Sequence, residues 1–150
     1  MDQDSPETGS IISQEEISCA CLGTLPELVI EGLELFNAHE YFEAHESLES
    51  AWRQEPGLIR ELYQGILQVS VAYYHLLRKN YAGARKVFQR SHKWLEPFPD
   101  ICCGIELAGF RKDYLRVEAE LIRLGPDHLG DFNPLLLKQI QYQSSAKKKS

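Results

Sequence analysis

Residues 41–52 constrain the fold most, because their apolar side chains recur at the spacing of an α-helix. With 100° between successive residues, a helix places these side chains on one face: Tyr41, Phe42, His45, Leu48, Glu49 and Trp52. That face is mostly apolar, so it is predicted to turn towards a core. His45 and Glu49 lie near its middle. Since a buried carboxylate without partners is strongly unfavourable, both side chains are predicted to meet polar groups from elsewhere in the chain.

Four other segments show the same helical periodicity between clear start and stop signals. The predicted helices cover residues 24–37, 41–54, 58–79, 81–95 and 106–124. Glu55-Pro56-Gly57 ends the second of them, and Gly125-Pro126 ends the last. Residues 102–104 are predicted to form a loop. The sequence therefore predicts an all-α fold, a single-domain helical bundle of about five main helices.

The two ends of the chain differ in composition from its middle. Residues 1–23 are acidic and polar, and they are predicted to form a flexible tail with a helical turn around residues 14–17. Residues 24–126 form the predicted bundle domain. Residues 127–150 are predicted to hold a docking segment, with a short helix around residues 134–140, and a basic tail at residues 147–149.

A weak internal repeat relates two of the predicted helices. Residues 39–51 align with residues 79–91, forty positions later, with Tyr and Ala three positions apart in both copies. This spacing is typical of tetratricopeptide-like αα-hairpins, in which small residues allow two helices to approach closely. Two units are too few for a free-standing solenoid, so a closed, partly tetratricopeptide-like bundle is predicted.

Charge is distributed unevenly along the chain. Residues 1–52 hold 12 of the 22 acidic residues and no Lys or Arg, whereas the remainder carries 10 acidic and 16 basic residues. The acidic half would repel phosphate, which argues against a nucleic-acid partner. No apolar run is long enough to span a bilayer, and no secretory or transit signal is recognisable, so a cytoplasmic location without membrane association is predicted. The four cysteines have poor spacing for zinc and are predicted to be free thiols.

The second half of the predicted helix over residues 58–79, residues 66–77, is apolar nearly all round, which indicates a buried position. One polar stripe interrupts it: Glu61, Gln64, Gln68 and His75. These side chains are the predicted partners of His45 and Glu49. Gly65, on the same side, would allow another backbone or side chain to come close. Glu46 is predicted to pair with Arg53 or to face solvent.

The spacing His45-x-x-x-Glu49-x-x-Trp52 resembles a known family, domain of unknown function 309, whose members are small helical proteins of bacteria and archaea. The resemblance covers about residues 33–96, and it is carried by Tyr41, Phe42, His45, Glu46, Glu49 and Trp52, then Gln64-Gly65-Ile66-Leu67-Gln68 and His75, then Asn80 with Gly83-Ala84. It implies an all-α fold and supplies no established activity.

The function that these patterns favour is a non-catalytic module that binds a small ligand or a protein partner. Its predicted polar pocket lies between the second and third helices and comprises His45, Glu49, Trp52, Gln64, Gln68 and His75. The alternative is a metal-dependent, hydrolase-like enzyme that holds a divalent metal with His45, Glu49 and His75. The His-Glu-x-x-His pattern of metalloproteases is absent, and no other cofactor is indicated. A purely structural dimerisation unit, hence a homo-oligomer, is a third interpretation.

Overall fold

The computed structural model describes residues 13–143, and helices dominate it. The elements are α1 (Gln14–Ala20), α2 (Glu27–Asn37), α3 (Tyr41–Gln54), α4 (Arg60–Leu77), α5 (Tyr81–Leu95), β1 (Ile101–Cys102), β2 (Ile105–Glu106), α6 (Leu107–Leu124) and two 3-10 turns, Leu129–Asp131 and Pro134–Leu136. The all-α prediction is confirmed, and α3 and α5 begin and end where the periodicity placed them. None of the helices within residues 13–143 combines the length and the apolar character that crossing a bilayer requires.

Two helical hairpins, α2–α3 and α4–α5, are closed by the same backbone turn. His39 and Lys79 adopt the left-handed conformation at φ 66° and 61°. The following residues, Glu40 and Asn80, donate their N–H groups to the carbonyl five positions back, at 2.9 and 2.8 Å. This pattern satisfies carbonyls that a helix end would otherwise leave unpaired. The forty-residue repeat thus has a structural counterpart in the turn, whereas its likeness to tetratricopeptide proteins stays a prediction.

The four hairpin helices stack in chain order, with α3 between α2 and α4, and α4 between α3 and α5. Glycines allow the close approach inside each hairpin. A Cβ added at Gly32 would lie less than 3 Å from Leu48, and one at Gly65 would lie less than 3 Å from Leu95. The close approach predicted at Gly65 is therefore confirmed. Helix α6 joins the stack through the buried Phe110 and other apolar side chains.

The N-terminal corner differs from the sequence prediction. Residues 1–23 were predicted to form a flexible tail, but helix α1 occupies much of the described part, residues 13–23, and Ile17 and Cys21 are buried. Cys21 forms a disulfide with Cys102, which corrects the prediction that all four cysteines are free. Sequence spacing could not show this, because the two residues are 81 positions apart. Cys19 and Cys103 are free, and residues 1–12 lie outside the described part of the chain.

The C-terminal segment packs back onto α2. Its predicted short helix is a single 3-10 turn over Pro134–Leu136, followed by the buried Leu137 and Ile140. Asn37 at the end of α2 exchanges two hydrogen bonds with the backbone of Ile140, at 3.0 and 2.7 Å. These contacts extend the hydrophobic core past residue 126. The basic residues 147–149 lie outside the described residues.

Candidate functional site

A small cleft opens between the first turns of α3 and the last turns of α4. Its volume is about 150 Å³. We name it the aromatic cleft, and its lining residues are Tyr41, Phe42 and His45 from α3 with Val71, Tyr74 and His75 from α4. The cleft lies between the second and third of the predicted main helices, where the sequence placed a pocket. It contains two of the six predicted pocket residues.

The orientation of α3 explains why the other predicted residues are elsewhere. The buried face of this helix consists of Tyr41, Ala44, Leu48 and Ala51. Glu49 lies about 120° round from the centre of that face, and His45 lies about 80° round. Ala44 and Ala51 belong to the buried face, and their small side chains let α3 approach its neighbours. The predicted inward face is therefore only partly correct, and Phe42 remains 43% exposed.

His45 is held by its own helix at one edge of the cleft. Its Nδ1 lies 3.2 Å from the carbonyl oxygen of Phe42, so the tautomer protonated at Nδ1 donates a hydrogen bond there. Its Nε2 lies 3.7 Å from Oε1 of Glu49, one helical turn away. The imidazole is thus fixed in orientation, with a quarter of its side chain exposed.

Glu49 does not meet the partners that the sequence predicted. Its carboxylate accepts a hydrogen bond from the Arg53 guanidinium at 2.9 Å, and its side chain is 36% exposed. Within residues 13–143, no hydrogen bond joins it to Gln64 or Gln68. Arg53 pairs with Glu49 rather than with Glu46. The predicted polar network is therefore corrected, because α3 turns Glu49 towards solvent, where a carboxylate keeps its hydration.

Trp52, Gln64 and Gln68 also lie outside the lining of the aromatic cleft. The guanidinium of Arg60 lies 4.3 Å from the centroid of the Trp52 ring, which is a cation–π contact between α3 and α4. Gln64 and Gln68 are half-buried on α4. Trp52 therefore contributes to the contact between the two helices, about two turns of α3 beyond His45 of the cleft.

His75 lies on the α4 side of the cleft and is tied to the turn that follows. The Asn80 side-chain amide lies 3.2 Å from Nδ1, and as the donor it leaves the proton of a neutral imidazole on Nε2. Asn80 Oδ1 in turn accepts the N–H of Gly83 and caps α5 at 3.0 Å. Burial lowers the pKa of His75 below its ordinary value, and the positive charge of Arg78 lowers it further. His75 is thus a neutral hydrogen-bond donor at pH 7.

Tyr41 has a buried hydroxyl that makes no hydrogen bond within the described chain. Its ring is 3% exposed and packs edge-on against Phe36 and Tyr73, with centroids 5.1 and 5.3 Å away. Burial raises the pKa of this phenol well above its ordinary value, so it stays protonated. A buried donor without an acceptor costs about 1–3 kcal/mol.

A second, shallower pocket of about 320 Å³ adjoins the aromatic cleft. We name it the acidic pocket, and it is lined by His39, Glu40, Tyr41, Phe42, Glu43, Tyr74 and Leu77. The two pockets share Tyr41, Phe42 and Tyr74. Glu40 and Glu43 are exposed, and neither forms an ion pair with another described residue.

The geometry gives little support to a metal centre. In the described part of the chain, no three His, Cys, Asp or Glu side chains converge in a way that could hold a metal ion. His45 and Glu49 approach each other, but Glu49 is engaged by Arg53. The predicted triad of His45, Glu49 and His75 is thus not brought together as a ligand set.

Sequence reasoning did not single out four of the cleft residues as site residues. Tyr41 and Phe42 were assigned to the apolar face of α3, and Val71 and Tyr74 to an all-round apolar helix. One signal was available in the sequence, namely the aromatic side chains at positions 41, 42 and 74. Together they carry more apolar surface than one narrow helix–helix contact can bury. The cleft suits an apolar group that has one or two hydrogen-bonding atoms lying at the rim of the cleft.

The segment of the chain that forms the cleft matches a known protein family. Residues 29–87 match a family model described as "Domain of unknown function (DUF309)", which confirms the resemblance predicted from the sequence. A Bacillus subtilis protein described as "Uncharacterized protein YpuF" is 40% identical over 73 residues. That alignment covers 47% of this chain and 42% of the relative, so the chain spans less than half of the relative's length. All six cleft residues fall within the matched range.

Proposed function

We propose that this chain, whose residues 29–87 match the DUF309 family model, is a non-catalytic binding module. Its aromatic cleft takes one apolar side chain of a protein partner. The single observation that carries the proposal is the preformed cleft between α3 and α4, in which exposed and half-buried aromatic rings surround an empty volume.

The size of the cleft decides the kind of occupant. Sites for cofactors and drug-sized ligands usually enclose about 300–1,000 Å³. The aromatic cleft encloses about 150 Å³, close to the volume of an engineered apolar cavity that binds one benzene ring. A single side chain such as Phe or Leu fits this volume. The rest of the partner would then lie across the surface outside it.

The lining of the cleft is also typical of anchor pockets at protein interfaces. Interface residues that dominate binding energy are often aromatic, and they pair with side chains that fill well-packed pockets. Phe42 is 43% exposed, and its ring lies 5.4 Å from those of His45 and Tyr74. Covering these rings with an apolar side chain removes apolar surface from water, which is favourable. The Nε2 of His75, which carries the proton when Nδ1 accepts from Asn80, is a donor for a backbone carbonyl of the partner.

The metal-dependent hydrolase remains the rival function, and the contacts favour it less. It requires His45, Glu49 and His75 to act on one ion, whereas Glu49 is paired with Arg53 outside the cleft lining. A binding module needs only the cleft as it stands.

The predicted cytoplasmic location stays a prediction within this proposal. The Cys21–Cys102 disulfide counts against it, because disulfides persist mainly in oxidising compartments. The binding proposal does not depend on the location, since the disulfide joins the end of α1 to β1 and neither cysteine lines the cleft.

An NMR titration with N-acetyl-phenylalanine methylamide tests the anchor role of the cleft. The amide signals of His45, Val71 and Tyr74 are expected to shift in the wild type. Val71→Phe fills the cleft from α4 and is expected to abolish these shifts. Ile122→Phe, on the outer face of α6 where Ile122 is 47% exposed, is the matched control and is expected to preserve them.

Circular dichroism and melting temperature establish that both variants are folded. Shifts that are scattered over the surface, or that persist unchanged in folded Val71→Phe, would overturn the proposal. A stoichiometric transition metal that is lost on His45→Ala would favour the rival function instead.

A further inference from the structure

The surface around the aromatic cleft carries a concentrated negative charge. Residues 24–52, which include α2 and most of α3, hold seven acidic residues and no Lys or Arg: Glu27, Glu31, Glu34, Glu40, Glu43, Glu46 and Glu49. Arg53 at the end of α3 pairs with Glu49. Six of the seven acidic residues are exposed, and Glu49 is partly so. Two of them, Glu40 and Glu43, line the acidic pocket, which shares Tyr41, Phe42 and Tyr74 with the cleft.

The acidic pocket combines carboxylates with exposed apolar surface. Phe42 is 43% exposed and Leu77 is 45% exposed, and both line this pocket together with Glu40 and Glu43. A Lys or Arg side chain has the same two parts, an aliphatic stem that covers apolar surface and a charged head that seeks carboxylates. An Arg head can also stack on an aromatic ring. The pocket therefore matches a basic side chain in shape and in charge.

Two cations of the protein lie at the border of this region and have to be weighed. Arg78 places its guanidinium 5.4 Å from the ring centroid of Tyr74, and Lys79 follows it in the turn after α4. Neither residue lines the aromatic cleft or the acidic pocket. The Arg78 guanidinium lies against the Tyr74 ring. Among the residues that line the acidic pocket, Glu40 and Glu43 are the charged ones, with His39 beside them.

We propose that the partner segment presents an apolar anchor with a Lys or Arg about one to three residues away, a spacing that an extended chain bridges between adjoining pockets. The anchor enters the aromatic cleft, and the basic side chain lies over Phe42 and Leu77 with its head at Glu40 and Glu43. This inference rests on the proposed function and adds the charge of the partner to it.

Four fluorescent peptides of about ten Gly and Ser residues test the inference by anisotropy. One carries a central Phe with Lys two positions away on both sides, and two others replace both Lys by Gln or by Glu. The fourth keeps both Lys and replaces Phe by Ala. We expect the Phe–Lys peptide to bind tightest, with affinity falling about three-fold or more for Gln and further for Glu, as exposed ion pairs of this kind allow.

Variants of the protein assign the effect to the acidic pocket. Glu40→Gln combined with Glu43→Gln is expected to remove the preference for Lys over Gln. Glu27→Gln combined with Glu31→Gln, which changes the same net charge on α2 outside both pockets, is the matched control and is expected to keep most of that preference. High salt is expected to weaken the preference in the wild type.

The two proposals fail in different ways. If Phe→Ala weakens binding but the Lys, Gln and Glu peptides bind equally, the basic partner is wrong and the anchor cleft stands. If the Ala–Lys peptide binds as tightly as the Phe–Lys peptide, the anchor role is wrong, and this inference fails with it. Equal loss of the Lys preference in both Glu→Gln pairs would also overturn the assignment to the acidic pocket.

Discussion

The α2–α3 and α4–α5 hairpins are closed by turns of the same conformation, but they contribute different side chains to the contact between them. Forty positions relate Phe42 of the first hairpin to Ala82 of the second, and Glu34 of the first to Tyr74 of the second. The aromatic cleft is built where Phe42 meets Tyr74, that is, at positions where the two hairpins are not alike. The repeat thus accounts for the scaffold, and departures from the repeat account for the candidate site.

The largest expected difference between the hairpins concerns their close-approach glycines. Gly65→Ala would bring a Cβ against Leu95 and within 3.2 Å of the Trp94 Cβ, whereas Gly32→Ala would press mainly on Leu48. Overpacking costs about 1–3 kcal/mol, and replacing a helical glycine by alanine returns about 1 kcal/mol. We expect the free energy of unfolding to fall by about 2 kcal/mol for Gly65→Ala and by about 1 kcal/mol for Gly32→Ala.

Urea denaturation measures both variants. Ser50→Ala, on the exposed side of α3, is the control for helix propensity alone and is expected to change stability by a few tenths of a kcal/mol. A larger loss for Gly32→Ala than for Gly65→Ala would mean that the first hairpin, and not the second, is the more tightly packed.

The turns themselves differ in their caps, and this predicts a smaller effect. Asn80 accepts the Gly83 N–H with its side chain and donates to His75, whereas Glu40 makes no side-chain cap. Asn80→Ala is therefore expected to lower the free energy of unfolding by about 1 kcal/mol. Glu40→Ala is the matched control from the first hairpin and is expected to leave stability nearly unchanged. Thermal unfolding compares them, and equal losses would show that the side-chain cap contributes nothing specific.

The smallest expected effect is a pH dependence that His75 of the second hairpin introduces. His75 occupies the position of Leu35 in the first hairpin, and burial with the Arg78 charge lowers its pKa below 6.5 in the folded state. The unfolded chain then binds more protons as pH falls through 6.5, so the folded state loses stability in that direction. His75→Leu, which copies the first hairpin, is expected to reduce this loss between pH 7 and 5.

Chemical denaturation at several pH values checks the prediction through the slope of stability against pH. His128→Leu, at an exposed position outside both hairpins, is the control and is expected to keep the wild-type slope. An unchanged slope in His75→Leu would mean that proton uptake by other groups governs stability in this range.

Much of the fold followed from local pattern, and less of the site did. The five main helices were predictable because apolar residues, Pro and Gly set their faces and ends within one segment. The partner of Glu49 could not be predicted in this way. Glu49 faces either α4 or Arg53 depending on the rotation of α3 about its axis, and the burial of Ala44 and Ala51 sets that rotation. The Cys21–Cys102 bond was missed for a similar reason, since nothing local to either cysteine specifies a partner 81 residues away.

The amino-acid sequence by itself determined an all-α chain, the approximate positions of its main helices, the forty-residue repeat and the family resemblance. Each of these depends on neighbours along the chain or on a short motif. Only the tertiary structure decided which side of α3 is buried, which side chains enclose the aromatic cleft, and that Glu40 and Glu43 lie beside it. Those outcomes depend on how closely two helices approach and how they rotate to bury most apolar area, a balance that no single segment contains.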